Sequence, residues 1–170
     1  DYLVINCQKY PYNITAFRRA VALAMDKRRV CEEAWDGFAI PHDSVIPYTN
    51  SWSIENQTDD SYYEGERQEA QTLLDEAGFL DIDDDGFREA PDGTELEISI
   101  EREFSMQDTD PGNLIAQGLQ RVGLDAHAYG PYYYPNPPRS LEYMDYDMAW
   151  LRQPESGVEP SWWAGHLHSS

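Results

Sequence analysis

Six oxygen-bearing positions between Asp81 and Asp92 have the spacing of a Ca²⁺-binding loop. Residues 81–86 read DIDDDG, which matches the pattern D-x-D-x-D-G, where alternate carboxylates face one ion and the glycine permits a sharp turn. The ligands would be the carboxylates of Asp81, Asp83, Asp85, Glu89 and Asp92 and the backbone carbonyl of Phe87. The twelfth position holds Asp instead of the longer Glu, so a solvated acidic turn is the alternative to a structural Ca²⁺ site.

Motifs for covalent or cofactor-dependent catalysis are absent from the sequence, which has no nucleophile elbow, P-loop, HExxH or glycine-rich dinucleotide loop. We therefore expect a protein that is not an enzyme and that requires no cofactor. A carboxylate-based hydrolase is the enzymatic alternative, because 32 acidic residues could include a pair separated by about 5 to 9.5 Å. Nothing in the sequence singles out such a pair.

The charge balance is strongly acidic. The 170 residues carry 32 acidic and 12 basic side chains, a net charge of −20, and only Lys9 and Lys27 are lysines. This charge repels phosphate backbones and argues against nucleic acid as a partner. It also opposes compaction in dilute salt, whereas molar salt shortens the Debye length to about 3 Å. The composition therefore predicts adaptation to high salt, with an ordinary acidic protein as the alternative.

The ends of the chain and its cysteines give further expectations. Cys7 and Cys31 fit neither a metal motif nor a CxxC redox motif, which leaves one disulfide or two free thiols open. The sequence has no signal peptide, lipid-attachment cysteine or transmembrane run. It begins inside an expected strand, so we expect residues 1–170 to be one domain cut from a longer protein.

Alternating strands and helices must position these residues. Apolar residues recur at helical spacing near residues 17–25, 28–35, 65–77 and 111–122, and the period-two run at 95–101 is typical of a half-buried strand. Gly78 and Gly123 directly follow the last two helical runs and are expected to end them. Further strands are predicted at 2–6, 124–129 and 146–151. This order predicts an α/β fold with a mixed β-sheet flanked by helices.

Four segments, taken in order, carry a family resemblance. They are residues 17–27 (FRRAVALAMDK), 36–47 (DGFAIP, then VIP), 69–79 (EAQTLLDEAGF) and 115–125 (IAQGLQRVGLD), and YDMA follows at 146–149. Each segment alone is weak evidence for a family. Their order and spacing together resemble family 5 of the extracellular solute-binding proteins, the peptide-, dipeptide- and nickel-type capture subunits of ABC importers. The resemblance covers about residues 2–150.

The resemblance implies a specific architecture. Residues 1–170 would form the second lobe of a type II periplasmic-binding-protein fold, with the first lobe and the hinge return outside the chain. Solute would be held between the lobes by hinge closure, and the closed form would dock on a membrane permease. The full-length protein would be extracytoplasmic and membrane-anchored. The isolated lobe would be monomeric and would bind its solute weakly or not at all.

In this family the second-lobe ligand contacts lie near the strand that contains the Tyr-Asp-x-Ala motif. The resemblance therefore implies ligand contacts from Trp150, Arg152 and Trp162, because an aromatic wall with one guanidinium suits a carboxylate-bearing or sugar-like solute. The tyrosines Tyr132, Tyr133 and Tyr134 are expected to line the same cleft. The family's Trp-x-x-Asp pattern is absent or rearranged after Trp150, which leaves peptide specificity open.

Each predicted set of site residues could instead have a purely structural role. Trp150 could belong to the core, and the three tyrosines could pack a long loop against the sheet. If the Asp81–Asp92 loop binds Ca²⁺, a Ca²⁺-dependent cell-surface or adhesion module is an alternative function for the chain.

Overall fold

A computed structural model describes residues 1–44, 46, 48–55, 57, 62–103, 111–132 and 145–151. Four strands and four helices alternate along these residues. In chain order they are β1 (Tyr2–Ile5), α1 (Thr15–Ala24), α2 (Lys27–Glu33), α3 (Arg67–Glu76), β2 (Glu97–Glu103), α4 (Pro111–Gln120), β3 (Asp125–Tyr132) and β4 (Met148–Leu151). Each overlaps an element that the sequence predicts, and no bound differs from the predicted one by more than three residues.

The four strands form one mixed sheet in the order β1-β4-β2-β3. β2 runs parallel to both β3 and β4, and β1 pairs antiparallel with β4. The carboxyl ends of β2, β3 and β4 therefore lie at one edge of the sheet, which we call the carboxyl edge. Their amino ends lie at the opposite edge, the amino edge, together with the end of β1.

The core lies between this sheet and the helices. The strand alternation predicted for β2 is confirmed, since Ile98 and Ile100 are 1% and 0% exposed. Phe17 on α1 and Leu119 on α4 are fully buried. Where α4 meets the end of α1, a Cβ on Gly118 would come within 2.5 Å of the Ala24 carbonyl oxygen. Only a residue without a side chain allows this close approach.

Helices α3 and α4 end in the same way. Gly78 and Gly123 have φ of +85° and +86°, the left-handed conformation that terminates a helix at low cost when the residue is glycine. After each glycine, the next N–H donates to a carbonyl five residues back, Phe79 to Leu74 at 2.9 Å and Leu124 to Leu119 at 3.1 Å. The two predicted glycine stops are thus confirmed.

Arg88 joins the two helix ends at the amino edge. Its Nε donates to the Val122 carbonyl at 2.7 Å, and its Nη1 donates to the Phe79 carbonyl at 2.5 Å and to the Asp75 carboxylate at 2.5 Å. The side chain is 11% exposed. A guanidinium suits this position because the last carbonyls of a helix lack intrahelical donors.

Asp147 ties β4 to its neighbours at the same edge. Its carboxylate accepts the N–H and hydroxyl of Ser99 at 3.0 and 2.9 Å, and pairs with the Lys9 ammonium at 2.8 Å. Burial opposes its ionisation, but the hydrogen bonds from Lys9 and Ser99 outweigh burial and lower the pKa of Asp147. The Asp of the Tyr-Asp-x-Ala motif therefore serves the fold.

Two other features concern the cysteines and the helices. Cys7 is exposed and Cys31 is half-buried, and both are free thiols. Burial raises the pKa of the Cys31 thiol. Among the described residues, none of the helices has the length and apolarity that crossing a membrane would require.

Candidate functional site

The carboxyl edge brings the ends of three parallel strands together. Arg102 of β2 pairs in register with Trp150 of β4, and Glu103 pairs with Tyr132 of β3. Open α/β sheets bind ligands outside the carboxyl ends of their strands. The structure therefore places Tyr132 and Trp150, which begin the two predicted contact segments, on either side of β2 at the carboxyl edge.

Of the predicted ligand contacts, Trp150 is the one whose side chain the structure describes. It is half-buried and packs against the hydrophobic core. Part of its surface therefore belongs to the core, and the rest is exposed to solvent. The backbone of Tyr132 ends β3, while its side chain lies outside the described part of the chain. Tyr133, Tyr134, Arg152 and Trp162 also lie outside the described residues and stay predictions.

Arg102 is a residue of this edge that the sequence analysis missed. Its side chain lies against Gly130 of β3, where φ is +137° and an added Cβ would come within 2.9 Å of the Arg102 Cγ and 2.8 Å of its carbonyl oxygen. Glycine thus makes room for the guanidinium stem across the sheet. The sequence signal was the arginine in an otherwise acidic strand, E-I-S-I-E-R-E, but its neighbours come from other strands.

The acidic loop lies at the opposite end of the sheet, between α3 and β2. Carboxylate oxygens of Asp81, Asp83, Asp85 and Glu89 all lie within 4.8 Å of one another. The three aspartates are exposed, whereas Glu89 is 6% exposed. Four of the five predicted carboxylate ligands are therefore brought together.

Local hydrogen bonds shape this loop. Asp81 accepts the Gly86 N–H at 3.0 Å, Asp85 accepts the Phe87 N–H at 2.7 Å, and Glu89 accepts the Ile82 N–H at 2.7 Å. The same carboxylates that would bind an ion thus organise the turn around themselves.

Asp92 lies outside that group of four carboxylates. Its carboxylate accepts the Thr94 N–H at 3.1 Å, and hydrogen bonds from Thr94 lower its pKa. It closes the next turn, which includes Gly93 at φ +83°.

A shallow cleft of about 290 Å³ also opens at the amino edge. Tyr10 and Tyr12 line it together with four carboxylates, those of Asp92, Glu95, Glu97 and Asp147. Three of these already accept hydrogen bonds, from Thr94, from the Tyr129 hydroxyl and from Ser99. The cleft therefore offers a charged ligand few unengaged groups.

Comparison with known proteins gives one family. The profile of the bacterial extracellular solute-binding proteins, family 5 Middle, matches residues 1–166. The chain belongs to this family. No curated protein matches this family member by sequence.

Solved structures agree with the family match. The oligopeptide-binding protein of an ABC transporter from Thermotoga maritima, crystallised with mannohexaose, is 27% identical, with a TM-score of 0.67 over 86% of this chain and 28% of that one. AppA from Bacillus subtilis, in complex with a nonapeptide, is 18% identical, with a TM-score of 0.69 over 87% and 29% of the two chains. NikA from Brucella suis, with Fe(III)-EDTA, is 23% identical, with a TM-score of 0.66 over 86% and 29%.

These neighbours confirm the predicted fold, a mixed α/β lobe of the type II periplasmic-binding-protein class. This family member spans less than a third of the length of the three solved relatives. The Thermotoga maritima and Bacillus subtilis relatives are named as oligopeptide-binding proteins, and the family is one of extracellular proteins.

Proposed function

We propose that residues 1–170 form one lobe of the capture subunit of an ABC importer, and that solute is held at the carboxyl edge against a second lobe. The observation that carries the proposal is the convergence of three strand ends at that edge, with Arg102 and Trp150 in register, in a member of the solute-binding family. The delivery partner would be a membrane permease, and the full-length protein would be anchored outside the cytoplasm.

Hinge closure explains how such a lobe works. A solute that contacts both lobes stabilises the closed state by its extra contacts there, so affinity depends on both surfaces. One lobe alone offers half of these contacts. We expect the isolated chain to be monomeric and to bind solute far more weakly than the full-length protein.

The chemistry of the edge suggests the solute class. A guanidinium forms paired, charge-assisted hydrogen bonds with a carboxylate, and an indole offers a flat apolar face to a ring or an aliphatic group. Arg102 beside Trp150 therefore favours a small solute with a carboxylate and an apolar part, such as a peptide. Arg152, Trp162 and the tyrosines 132–134 are proposed to complete this surface.

A two-step experiment tests the proposal. Native mass spectrometry of the full-length protein, purified from its own cells, identifies the bound solute. Calorimetry with that solute then compares the parent protein with Arg102→Gln, for which we expect affinity about tenfold lower or worse. Arg121→Gln is the matched control, because Arg121 is exposed beyond the end of α4. Equal affinities for all three proteins would contradict the role of Arg102.

We also propose that the chain is not an enzyme. A carboxylate-based hydrolase needs one carboxyl group with a raised pKa to serve as general acid. In the described part of the chain, the carboxyl groups with clearly shifted pKa values are Glu33, Glu55, Asp92 and Asp147, and all four are lowered. Incubation with the identified solute should return it intact, and release of cleavage products would overturn this point.

Ca²⁺ binding at the acidic loop is a second candidate function, favoured by the four converging carboxylates. The ion would be structural, since Arg88 and Glu89 attach this loop to the body of the domain, or it would support a surface or adhesion role. Calorimetry of residues 1–170 with Ca²⁺ should show heat that Asp83→Asn and Asp85→Asn abolish. Asp84→Asn is the control within the loop, because Asp84 lies outside the group and has φ of +63°, which asparagine tolerates. No heat with the parent chain would end this candidate.

Adaptation to high salt remains a proposal that the net charge of −20 supports. We expect residues 1–170 to lose cooperative unfolding below about 0.5 M salt, because screening then no longer limits self-repulsion. Thermal melts that are identical from molar to millimolar salt would contradict it.

A further inference from the structure

Residues 13–15 read Asn-Ile-Thr, an acceptor tripeptide for N-linked glycosylation whose middle residue is not proline. A second tripeptide of this kind, at residues 56–58, lies partly outside the described residues, so the structure bears on the first alone. Such tripeptides also arise by chance. The conformation and the exposure of residues 13–15 therefore decide whether a glycan can be attached there.

The three residues alternate between solvent and core. Asn13 and Thr15 are exposed, while Ile14 is half-buried and packs against the hydrophobic core. Ile14 has φ of −86° and ψ of 121°, and the side chains on either side of an extended residue point the same way. The amide of Asn13 and the hydroxyl of Thr15, the two groups that define the tripeptide, therefore face solvent together.

Backbone hydrogen bonds fix this arrangement. The Asn13 N–H donates to the Lys9 carbonyl at 2.9 Å, and the Ile14 N–H donates to the Pro11 carbonyl at 3.0 Å. Among the described residues, none hydrogen-bonds to the side-chain amide of Asn13. The Thr15 hydroxyl accepts from Arg18 at 3.2 Å, which leaves its own hydrogen for donation. Both groups are thus available without any change of the fold.

The tripeptide lies next to the amino edge of the sheet. Pro11 and Tyr12, which precede it, line the cleft at that edge together with Asp147. Lys9, whose carbonyl accepts from Asn13, pairs with Asp147 through its ammonium at 2.8 Å. A glycan on Asn13 would therefore begin at the end of the sheet opposite the carboxyl edge, where solute is proposed to bind.

We propose that Asn13 carries an N-linked glycan in the full-length protein. The inference rests on the extracytoplasmic location proposed above, because these acceptor tripeptides are used in exported chains. The side-chain nitrogen of Asn13 would form a bond to the anomeric carbon of the first sugar. The bond from that carbon to the phosphate oxygen of a lipid-linked oligosaccharide donor breaks, the lipid phosphate leaves, and the amide proton passes to a base of the transferase.

Mass spectrometry of the full-length protein, purified from its own cells, tests the proposal. Trypsin cleaves after Lys9 and Arg18, so the peptide of residues 10–18 contains Asn13 as its single asparagine. We expect this peptide to carry the added mass of whole sugar units, with fragment ions that place them on Asn13. A peptide that is unmodified in every molecule overturns the proposal, and so does a sugar on Thr15.

Two substitutions at Thr15 form a matched pair. Thr15→Ser keeps the hydroxyl and loses the methyl group, whereas Thr15→Val keeps the branched shape and loses the hydroxyl. The glycosylated peptide should persist in Thr15→Ser and disappear in Thr15→Val, and a glycan that survives equally in both contradicts attachment through this tripeptide. Asn13→Gln removes the acceptor itself and should lower the intact mass by that of one glycan, while an unchanged glycan mass overturns the proposal.

Solute binding separates this inference from the capture function. Because Asn13 lies away from the carboxyl edge, calorimetry with the identified solute should give equal affinities for Asn13→Gln and the parent, and a weaker variant would contradict this placement of the glycan. A glycosylated peptide in a protein that binds no solute would sink the capture function and leave this inference standing. Solute binding by a protein whose peptide 10–18 is unmodified would sink this inference alone.

Discussion

The two edges of the sheet use their polar groups in different ways. At the amino edge, Arg88 is bonded to two helix ends and Asp147 is bonded to Ser99 and Lys9, so the charged groups there satisfy one another. At the carboxyl edge, Arg102 lies against Gly130 and pairs in register with the half-buried Trp150. These three residues lie on different strands, which the sheet brings together. The charged groups of the amino edge thus stabilise the fold, while solute contacts at the carboxyl edge stay a proposal.

This division has a physical reason. Charged groups that are hydrogen-bonded within the domain stabilise it, and those of the amino edge make these bonds to helix ends and to neighbouring strands. Substitutions at the amino edge should therefore change stability more than binding. Substitutions at the carboxyl edge should do the reverse.

The largest effect is expected for Arg88→Met. The substitution removes charge-assisted hydrogen bonds to the Phe79 and Val122 carbonyls in a site that is 11% exposed, which should lower the free energy of unfolding by about 3 kcal/mol. Urea denaturation measures it. Arg121→Met, at an exposed position close by, should stay within about 0.5 kcal/mol of the parent, and equal losses in both variants would refute the bridging role.

Asp147→Asn should have a smaller effect, about 2 kcal/mol, because the amide keeps part of the hydrogen bonding to Ser99 and loses the ion pair with Lys9. The pKa of Asp147 is lower in the folded state than the unfolded value of about 3.9. Its ionised form therefore stabilises the fold above about pH 4, and this contribution is lost as the pH falls through the folded-state pKa. Between about pH 4 and lower pH, the free energy of unfolding should fall more steeply for the parent than for Asp147→Asn. If it falls equally in both proteins, the ion pair and hydrogen bonds of Asp147 do not stabilise the fold in this way.

Gly130→Ala tests the carboxyl edge and should cost at least about 1 kcal/mol of stability, because alanine is strained at this φ and its Cβ would come within 2.8 Å of the Arg102 carbonyl oxygen. Its Cβ would also displace the Arg102 side chain, so solute affinity of the full-length protein should fall. Gly93→Ala is the control at the amino edge, where φ is also positive and a Cβ meets nothing within 4 Å. If the two variants bind solute equally well, Arg102 is not held in place by Gly130 for recognition.

The sequence predicted the elements well, and the reason is local. Alternation around Ile98 and Ile100 and the glycine stops at Gly78 and Gly123 depend on period and backbone geometry within a few residues. The acidic loop could also be predicted from the sequence. Its ligand candidates Asp81, Asp83, Asp85 and Glu89 converge through a turn that their own spacing dictates. Asp92 was included with them, although it closes a separate turn with Thr94.

The carboxyl edge was only partly predictable. Trp150 was inferred from its place after the Tyr-Asp-x-Ala motif, but Arg102 was missed because its neighbours Trp150 and Gly130 are 48 and 28 residues away along the chain. Parallel pairing and its register depend on how the helices pack on the sheet. Arg88 was missed for the same reason, since its partners belong to the ends of two separate helices.

By itself, the sequence determined the α/β class, the order of its strands and helices, the family and the acidic turn, because period, spacing and glycine positions are local properties. The tertiary structure alone decided which strand ends share an edge, which charged groups stabilise the fold, and which apolar side chains of residues 38–54 stay exposed to solvent. These depend on contacts between residues far apart in the chain, and such contacts form only when the sheet and helices pack together.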